Sequence, residues 1–402
     1  MSGSFHRKVL KNGMTILFEK RDLPIVSVAF ALRSGGTSED PAKKGISHYI
    51  EHMLYKGTPS RNAKKIAEEI EKNGGELNGF TDENVTAYWC KMPSQHLNVA
   101  LEVLSDMVKN PLFDEKELEK ERKVIFEEIK MRKDRPNMYV MDQIQSFLYD
   151  GTLGLNLIGT QDTMNSITRE EVVSRFKEIY TPNNIIMCVI GDADFDELVK
   201  FAEDNFGNEA GKIPEFEIKL KNDSKIETRK AIDQANLVFA YHVPLAEDEK
   251  SHAAHVLTSL MAGGMSSRLF SEIREKRNLA YTVKGDSNIN SNFSYSFVYV
   301  GTTKENVEKV KELILEEFKK VSEGLTEEEL EQTKEQLVGN YQIGQEDSQN
   351  QMVNLLAYEL NGNAEDFYDF EKDIRNVKLE DVKKMAGEVK EGNYSFLALI
   401  PE

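Results

Sequence analysis

The chain has 402 residues, 40% of them hydrophobic and 30% charged, which is typical of a soluble globular protein with more than one core. Its net charge of −18 argues against nucleic acid or an anionic membrane as a partner. No apolar run is long enough to span a membrane, residues 1–8 contain no apolar signal core, and the two cysteines suggest no disulfide framework. We therefore expect a cytoplasmic protein.

The first half of the chain alternates between strand and helix patterns. Runs of β-branched and apolar residues predict strands, and apolar residues at helical spacing predict helices. In chain order, the predicted elements are strands at 14–18 and 26–32, a helix around 46–54, a helix at 62–72, one or two strands within 76–92, helices at about 96–109, 114–133 and 169–180, and a strand at 185–190.

The second half repeats this order. Strands are predicted at 236–241 and 294–301, and helices at about 251–261, 307–322 and 326–342. Residues 114–123 resemble residues 326–335, with Leu118 aligned to Leu330, which indicates two copies of one unit. We predict an α+β fold of two homologous α/β-sandwich units, each a mostly antiparallel sheet with helices on one face. The expected boundaries are 1–211 for the first domain, 212–230 for a linker and 231–402 for the second.

One pentad in the first half carries the clearest chemical signal. It reads His48-Tyr49-Ile50-Glu51-His52, with two imidazoles at i and i+4 on one face of the predicted helix. This spacing lets both rings bind one zinc ion, which lowers the pKa of a bound water, and a nearby glutamate can take up and relay a proton. The alternative is a surface helix that carries two histidines by chance. On the alignment of the halves, the second copy has Leu260 and Gly264 at the histidine positions, so only the first half is expected to bind a metal.

A catalytic zinc usually has three protein ligands, so a second helix should supply another side chain. The predicted helix at 114–133 offers several glutamates beside its apolar stripe. Glu121 and Glu128 lie on nearly the same face, but seven residues span about 10 Å of helix, so only one of them can bind the same ion. Glu117 lies close to that face as well, and periodicity alone does not choose among the three. Glu127 points away.

The pentad and the segment at 121–129 resemble those of the pitrilysin-type, or inverzincin, metallopeptidases. This family includes insulin-degrading enzymes, mitochondrial processing peptidases and shorter prokaryotic relatives, and the resemblance extends over nearly the whole chain. It implies zinc ligands at His48, His52 and Glu128. It also implies that Glu51 is the catalytic base and that Glu121 is a supporting active-site carboxylate.

The same resemblance implies how a peptide would be held. Residues 74–81 are similar to an edge strand of the family that pairs with substrate, where Asn78 approaches the peptide and Gly79 stands at a position that is commonly alanine. Residues 274–281 are similar to a segment in which Arg274 and Tyr281 bind substrate, with Tyr281 also stabilising the oxyanion. Relatives of this length have two units where larger members have four. A homodimer is therefore expected to close the chamber, with each site completed by the partner chain.

Taken together, these residues predict a zinc-dependent endopeptidase that hydrolyses peptides or unfolded segments, with one Zn²⁺ per chain. The alternatives are a noncatalytic structural or assembly subunit and a peptide-binding clamp of the same fold. The intact pentad favours the enzyme, because noncatalytic members of the family characteristically lose ligands. The ligand set also tolerates other divalent ions.

Overall fold

The computed structural model describes residues 5–402, so residues 1–4 of the amino-terminal segment considered for a signal sequence lie outside the described residues. Residues 5–402 form thirteen strands, β1 (Phe5–Val9), β2 (Thr15–Lys20), β3 (Ile25–Leu32), β4 (Glu76–Thr81), β5 (Thr86–Pro93), β6 (Tyr149–Asp150), β7 (Ile185–Gly191), β8 (Lys219–Leu220), β9 (Ser224–Arg229), β10 (Ala235–His242), β11 (Ala280–Ile289), β12 (Ser294–Thr302) and β13 (Ser395–Pro401).

The same residues form fifteen α-helices, α1 (Ile46–Leu54), α2 (Ala63–Glu71), α3 (Leu97–Lys109), α4 (Glu115–Asp134), α5 (Pro136–Gln143), α6 (Gln145–Leu148), α7 (Gln161–Ser166), α8 (Arg169–Ile179), α9 (Phe195–Asn205), α10 (Ser251–Ala262), α11 (Val307–Gly324), α12 (Glu327–Gly344), α13 (Ser348–Leu360), α14 (Phe370–Asn376) and α15 (Leu379–Glu388). Each predicted strand or helix overlaps one of these elements. Within residues 5–402, no helix is both long and apolar enough to cross a membrane.

The chain divides into two compact units, and the first is built on a six-stranded sheet. It comprises the described residues up to Ile129 together with Leu155–Glu217 and Gly344–Tyr368. The strand order is β1-β2-β7-β3-β5-β4, with β2 and β7 parallel and the other pairs antiparallel. Alternate residues of β3, such as Val28, enter the core formed with α1 and α3, whereas Ser27 contacts Ser348 of α13 on the other face. Because it is the last strand in this order, β4 lies at an edge of the sheet.

The second unit repeats this plan with five strands. Its segments are Lys130–Gly154, Ile218–Ile343 and Asp369–Glu402, and the strand order is β11-β12-β10-β13-β9. Only β13 and β9 are parallel; the remaining pairs are antiparallel. Leu237 and Phe239 of β10 face a core that includes α10 and α11, and Val238 faces α5 and α6 on the opposite side. The mostly antiparallel sheets confirm the predicted α+β architecture of two similar units. The expectation of helices on only one face of each sheet is wrong, because α13 covers the second face of the first sheet and α5 and α6 cover that of the second.

The unit boundaries differ from the expected division at 212–230. Each unit contains a helical segment from the other half of the sequence, 130–154 in the second unit and 344–368 in the first. Helix α13 is anchored through its buried residue Glu359, whose carboxylate lies 2.8 Å from Arg7 and 2.6 Å from Arg33.

The predicted linker is also partly sheet, because β9 pairs in parallel with β13. Sequence periodicity misses β9 because it is a mostly exposed edge strand with charged residues along its length.

Candidate active site

Helix α1 presents His48, Glu51 and His52 on one face and anchors itself with the other. Ile46, Ile50, Met53 and Leu54 are buried, as their helical spacing predicts. The helix begins after Gly45, whose φ of 97° is in the left-handed region that favours glycine. Glu39 supplies the missing cap, since its carboxylate accepts hydrogen bonds from the backbone N–H groups of Gly45 at 3.0 Å and Ser47 at 2.7 Å.

Helix α4 lies against α1 and brings a second set of side chains to it. Leu118 and Ile125 are buried in the core, and the hydroxyl of Tyr49 donates to the carbonyl oxygen of Leu118 at 2.5 Å. This contact fixes the two helices at close range. Glu121 and Glu128 face the histidines, whereas Glu127 is exposed.

Three donor atoms from these helices converge on one point. Nε2 of His48 lies 3.2 Å from Nε2 of His52, and Oε2 of Glu128 lies 3.5 and 3.7 Å from these two nitrogens. Tetrahedral zinc bound at about 2.0–2.2 Å separates its ligand atoms by about 3.4 Å. The spacing of the three side chains therefore fits a single zinc ion.

Glu121 does not join these three ligand atoms but contacts the other ring nitrogen of His52. Its Oε2 lies 3.1 Å from Nδ1 of His52, and its Oε1 lies 2.7 Å from Nζ of Lys56. The geometry thus separates the alternatives that periodicity left open, because Glu128 faces the free sides of both imidazoles and Glu121 contacts the opposite ring nitrogen of one. Glu117 pairs with Lys120 instead.

Glu51 is buried beside the histidines, one residue before His52. Oγ1 of Thr81 donates a hydrogen bond to its Oε2 at 3.1 Å. Burial raises the pKa of the Glu51 carboxyl, and this effect outweighs the opposing influence of His52 and Thr81. A carboxylate with a raised pKa beside a metal site is suited to accept a proton and return it.

Strand β4 brings Asn78 and Gly79 to the same place. The strand has no partner on its outer side within the described sheet, and it contacts α1. The side chain of Asn78 is exposed, and its Oδ1 accepts a hydrogen bond from the backbone N–H of Gly79 at 2.9 Å. A methyl group on the α-carbon of Gly79 would lie 3.3 Å from Oε1 of Glu51, so this edge passes directly over the carboxylate. An extended peptide added to this edge would run next to Glu51.

Arg274 and Tyr281 lie in the second unit. Arg274 is exposed near the end of a π-helical turn, Phe270–Glu275, with its guanidinium carbon 4.8 Å from the centre of the Phe270 ring. Tyr281 is the second residue of strand β11 and is 43% exposed. It lines a cavity of about 1000 Å³ in that unit together with Lys284, Asp286 and Tyr299. Both side chains are therefore accessible to a ligand.

The fold and this group of residues agree with the comparisons to known proteins. Residues 15–161 match the family model of the insulinases, peptidase family M16, and residues 166–337 match the model described as the peptidase M16 inactive domain. The chain belongs to the M16 peptidase family. It is 31% identical over 401 residues to the "uncharacterized zinc protease YmxG" of Bacillus subtilis (strain 168), with 98% of each chain covered.

Two solved structures share the whole fold. A protease from Helicobacter pylori superposes with a TM-score of 0.91 at 22% identity, covering 99% of both chains. A peptidase M16 inactive domain from Pseudomonas fluorescens superposes with a TM-score of 0.89 at 19% identity, covering 99% of this chain and 98% of the other. At these identities the two likenesses establish the fold alone.

Several residues that shape the site were not found from the sequence. Glu39, Lys56 and Thr81 each contact a residue of the pentad, its helix or its supporting carboxylate. Lys56 and Thr81 lie in or beside segments already singled out, but nothing in their spacing marks a contact. Glu39 precedes the helix by a loop, so a cap of this kind is visible only in three dimensions.

Proposed function

We propose that this chain is a zinc-dependent endopeptidase that hydrolyses peptides and unfolded segments. The observation that carries the proposal is the convergence of His48, His52 and Glu128 on one point, with all three ligand atoms within 4.8 Å of one another. Two imidazoles and one carboxylate leave the fourth position of a tetrahedral zinc open, as catalytic sites require. Two relatives that are named uncharacterized zinc proteases support the same class of activity.

The roles of the side chains follow from where they lie. His48, His52 and Glu128 would hold the ion, which when bound supplies a water that ionises near neutral pH. Glu51 would take the proton of the attacking water and return it to the leaving amine. Glu121 would orient His52. The outer edge of β4, at Asn78 and Gly79, would bind the peptide backbone as an added strand.

The substrate-binding roles of Arg274 and Tyr281 extend the proposal to a pair of chains. We infer that a homodimer encloses the substrate and that one chain's zinc site is completed by the partner's second unit. Arg274 would bind a peptide carbonyl, and the hydroxyl of Tyr281 would donate to the developing oxyanion. Both side chains are exposed, which this arrangement needs. The cytoplasmic location expected from the sequence stays a prediction, which cell fractionation tests.

The rival function is a noncatalytic subunit of the same fold. The description of residues 166–337 as an inactive domain favours it, but that segment contains none of the three proposed zinc ligands. The structure's complete donor set in the first unit supports an enzyme instead. A peptide-binding clamp with a structural metal would make Glu51 dispensable.

One experiment separates these functions. Purified protein is analysed for metal and incubated with a mixed peptide library, with and without a chelator, alongside Glu51→Gln. We expect about one zinc per chain in both proteins. The wild type should cleave peptides, and the cleavage rate of the variant should be lower by at least about a hundredfold. Cleavage by the variant at the wild-type rate would refute the assigned base, and a zinc-loaded wild type without cleavage would favour the noncatalytic function.

A further inference from the structure

Tyr55 contributes a buried hydroxyl to the proposed site that none of the roles above uses. It is the C-cap residue of α1, one helical turn beyond Glu51, and its ring lies 6.0 Å from that of Tyr88. Its hydroxyl oxygen is buried and has no hydrogen-bond partner among residues 5–402. A buried hydroxyl without a partner costs free energy, so its presence calls for a function.

The hydroxyl occupies the space above Gly79 where another residue would place its β-carbon. A methyl group on the α-carbon of Gly79 would lie 2.4 Å from the Tyr55 oxygen and 2.8 Å from the carbonyl oxygen of Ala87. The same methyl group would be 3.3 Å from Oε1 of Glu51. The absent side chain of Gly79 therefore makes room for the phenol next to the carboxylate.

The two oxygens of Glu51 consequently have different neighbours. Oε2 accepts a hydrogen bond from Thr81 at 3.1 Å. Oε1 faces the point above Gly79 where the Tyr55 hydroxyl also lies, so both groups border one small space under the edge of β4. Because the β-carbon position of Gly79 is 2.4 Å from the phenol oxygen and 3.3 Å from Oε1, these two oxygens are at most 5.7 Å apart. A peptide lying on this edge would close that space from outside.

The neighbouring tyrosines show why this hydroxyl differs from an ordinary core phenol. The hydroxyls of Tyr88 and Tyr180 satisfy each other at 2.6 Å. Tyr55 belongs to the same aromatic cluster through Tyr88 but places its oxygen over Gly79 instead. Packing alone would be served by a phenylalanine at this position.

We propose that Tyr55 is a positioning residue for hydrolysis, whose hydroxyl fills the space above Gly79 and holds the Oε1 side of Glu51 when a peptide is bound. This inference rests on the proposed peptidase function. Tyr55 and Gly79 form a matched pair, because the hydroxyl needs a glycine opposite it. Thr81 holds the other oxygen, so the carboxylate is fixed from two sides.

The test is a double-mutant cycle on the zinc-loaded full chain with Tyr55→Phe, Gly79→Ala and the double variant. We expect Tyr55→Phe to lower kcat about three- to tenfold with little change in KM, as the loss of one hydrogen bond implies. Gly79→Ala should lower kcat at least about tenfold, because its methyl group strikes both the Tyr55 hydroxyl and the carbonyl oxygen of Ala87. The double variant should be at least about threefold more active than Gly79→Ala, because removing the hydroxyl relieves the closer of the two clashes, while the contact with the Ala87 carbonyl oxygen remains in both variants.

Tyr180→Phe is the matched control, since it removes a phenol hydroxyl from the same aromatic cluster whose hydrogen-bond partner is Tyr88 and which does not fill the space above Gly79. Its kcat should equal that of the wild type, and zinc content should be the same in all variants. A Tyr55→Phe variant with unchanged kcat, or a double variant whose loss is the product of the single losses, would overturn the positioning role. A wild-type chain without zinc-dependent cleavage would instead overturn the proposed function, and this inference with it.

Discussion

Nδ1 of His52 lies 3.1 Å from Oε2 of Glu121, whose other oxygen lies 2.7 Å from Nζ of Lys56. A proton on Nδ1 can be donated to this carboxylate, which leaves the lone pair of Nε2 facing His48 and Glu128. Lys56 in turn holds the other oxygen of Glu121 in place. The chain therefore prepares His52 as a ligand through two residues that do not themselves face the proposed ion.

Replacing Glu121 tests this arrangement. We expect Glu121→Gln to weaken zinc binding about 10- to 100-fold, because the amide no longer carries the charge that orients His52 and pairs with Lys56. The affinity is measured by competition with a chromophoric chelator. Glu127→Gln on the exposed face of the same helix is the control and should bind zinc like the wild type. Equal affinities for the two variants would show that Glu121 has no supporting role.

A site completed by the partner chain predicts complementation. Arg274→Ala and Glu51→Gln chains should each be inactive alone, and a mixture that has exchanged subunits should recover up to about one quarter of wild-type activity, since half the dimers are mixed and each has one intact site. A chain carrying both substitutions, mixed with Glu51→Gln, should recover nothing. Subunit exchange proven by mass labelling without any recovery would exclude a shared site.

The buried ion pair of Glu39 and Lys44, next to the start of α1, should contribute strongly to stability. Glu39 caps α1 and lies 3.5 Å from Nζ of Lys44, and both side chains are almost fully buried. Glu39→Ala should lower the free energy of unfolding by about 3–5 kcal/mol, because it removes the cap and leaves a buried ammonium unpaired. Urea denaturation measures the change. Glu39→Gln combined with Lys44→Met should recover part of the loss, and a single Glu39→Ala variant as stable as the wild type would contradict the assignment.

Asp106 should make stability depend on pH in the acid range. Burial tends to raise its pKa, but hydrogen bonds from Ser60, Asn110, Thr58 and Arg61 outweigh this and lower the pKa to about 2. A depressed pKa in the folded state stabilises the fold above the ordinary value of the carboxyl and loses that effect as the pH falls toward about 2.

The matching variant is Asp106→Asn. Its free energy of unfolding at pH 7 should be about 2 kcal/mol below that of the wild type, and this difference should shrink between about pH 4 and pH 2. Urea titrations across this range measure it. A difference that stayed constant from pH 7 to pH 3 would show that the carboxylate charge does not stabilise the fold.

Much of the fold and the centre of the site could be predicted from the sequence because both depend on local periodicity. The stripe Ile46–Leu54 and the spacing of His48 and His52 lie within one helix, where face and contact follow from position. The choice among Glu117, Glu121 and Glu128 does not, because it depends on how α4 lies against α1. The hydrogen bond from Tyr49 to Leu118 is one contact of that packing, and it leaves no signature in either segment.

Most features that could not be predicted depend on contacts between residues that are far apart in the sequence. Strand β9 lacks an apolar period because it lies at an edge, and the exchange of α13 depends on Glu359 meeting Arg7 and Arg33 from more than 300 positions away. The short distance between Tyr55 and Gly79 likewise arises from the approach of a helix to a strand. Such contacts come from tertiary packing and have no counterpart in composition or spacing.

The placement of α13 against the sheet of the first unit means that neither half of the sequence can form a complete unit alone. A polypeptide cut after residue 211 would expose the β3 and β7 surface that this helix covers, and the remaining fragment would lack residues 130–154 over its own sheet. Neither half is thus a self-sufficient module. Each sheet receives part of its helical cover from the other half of the sequence, so both halves must be present before either unit is complete.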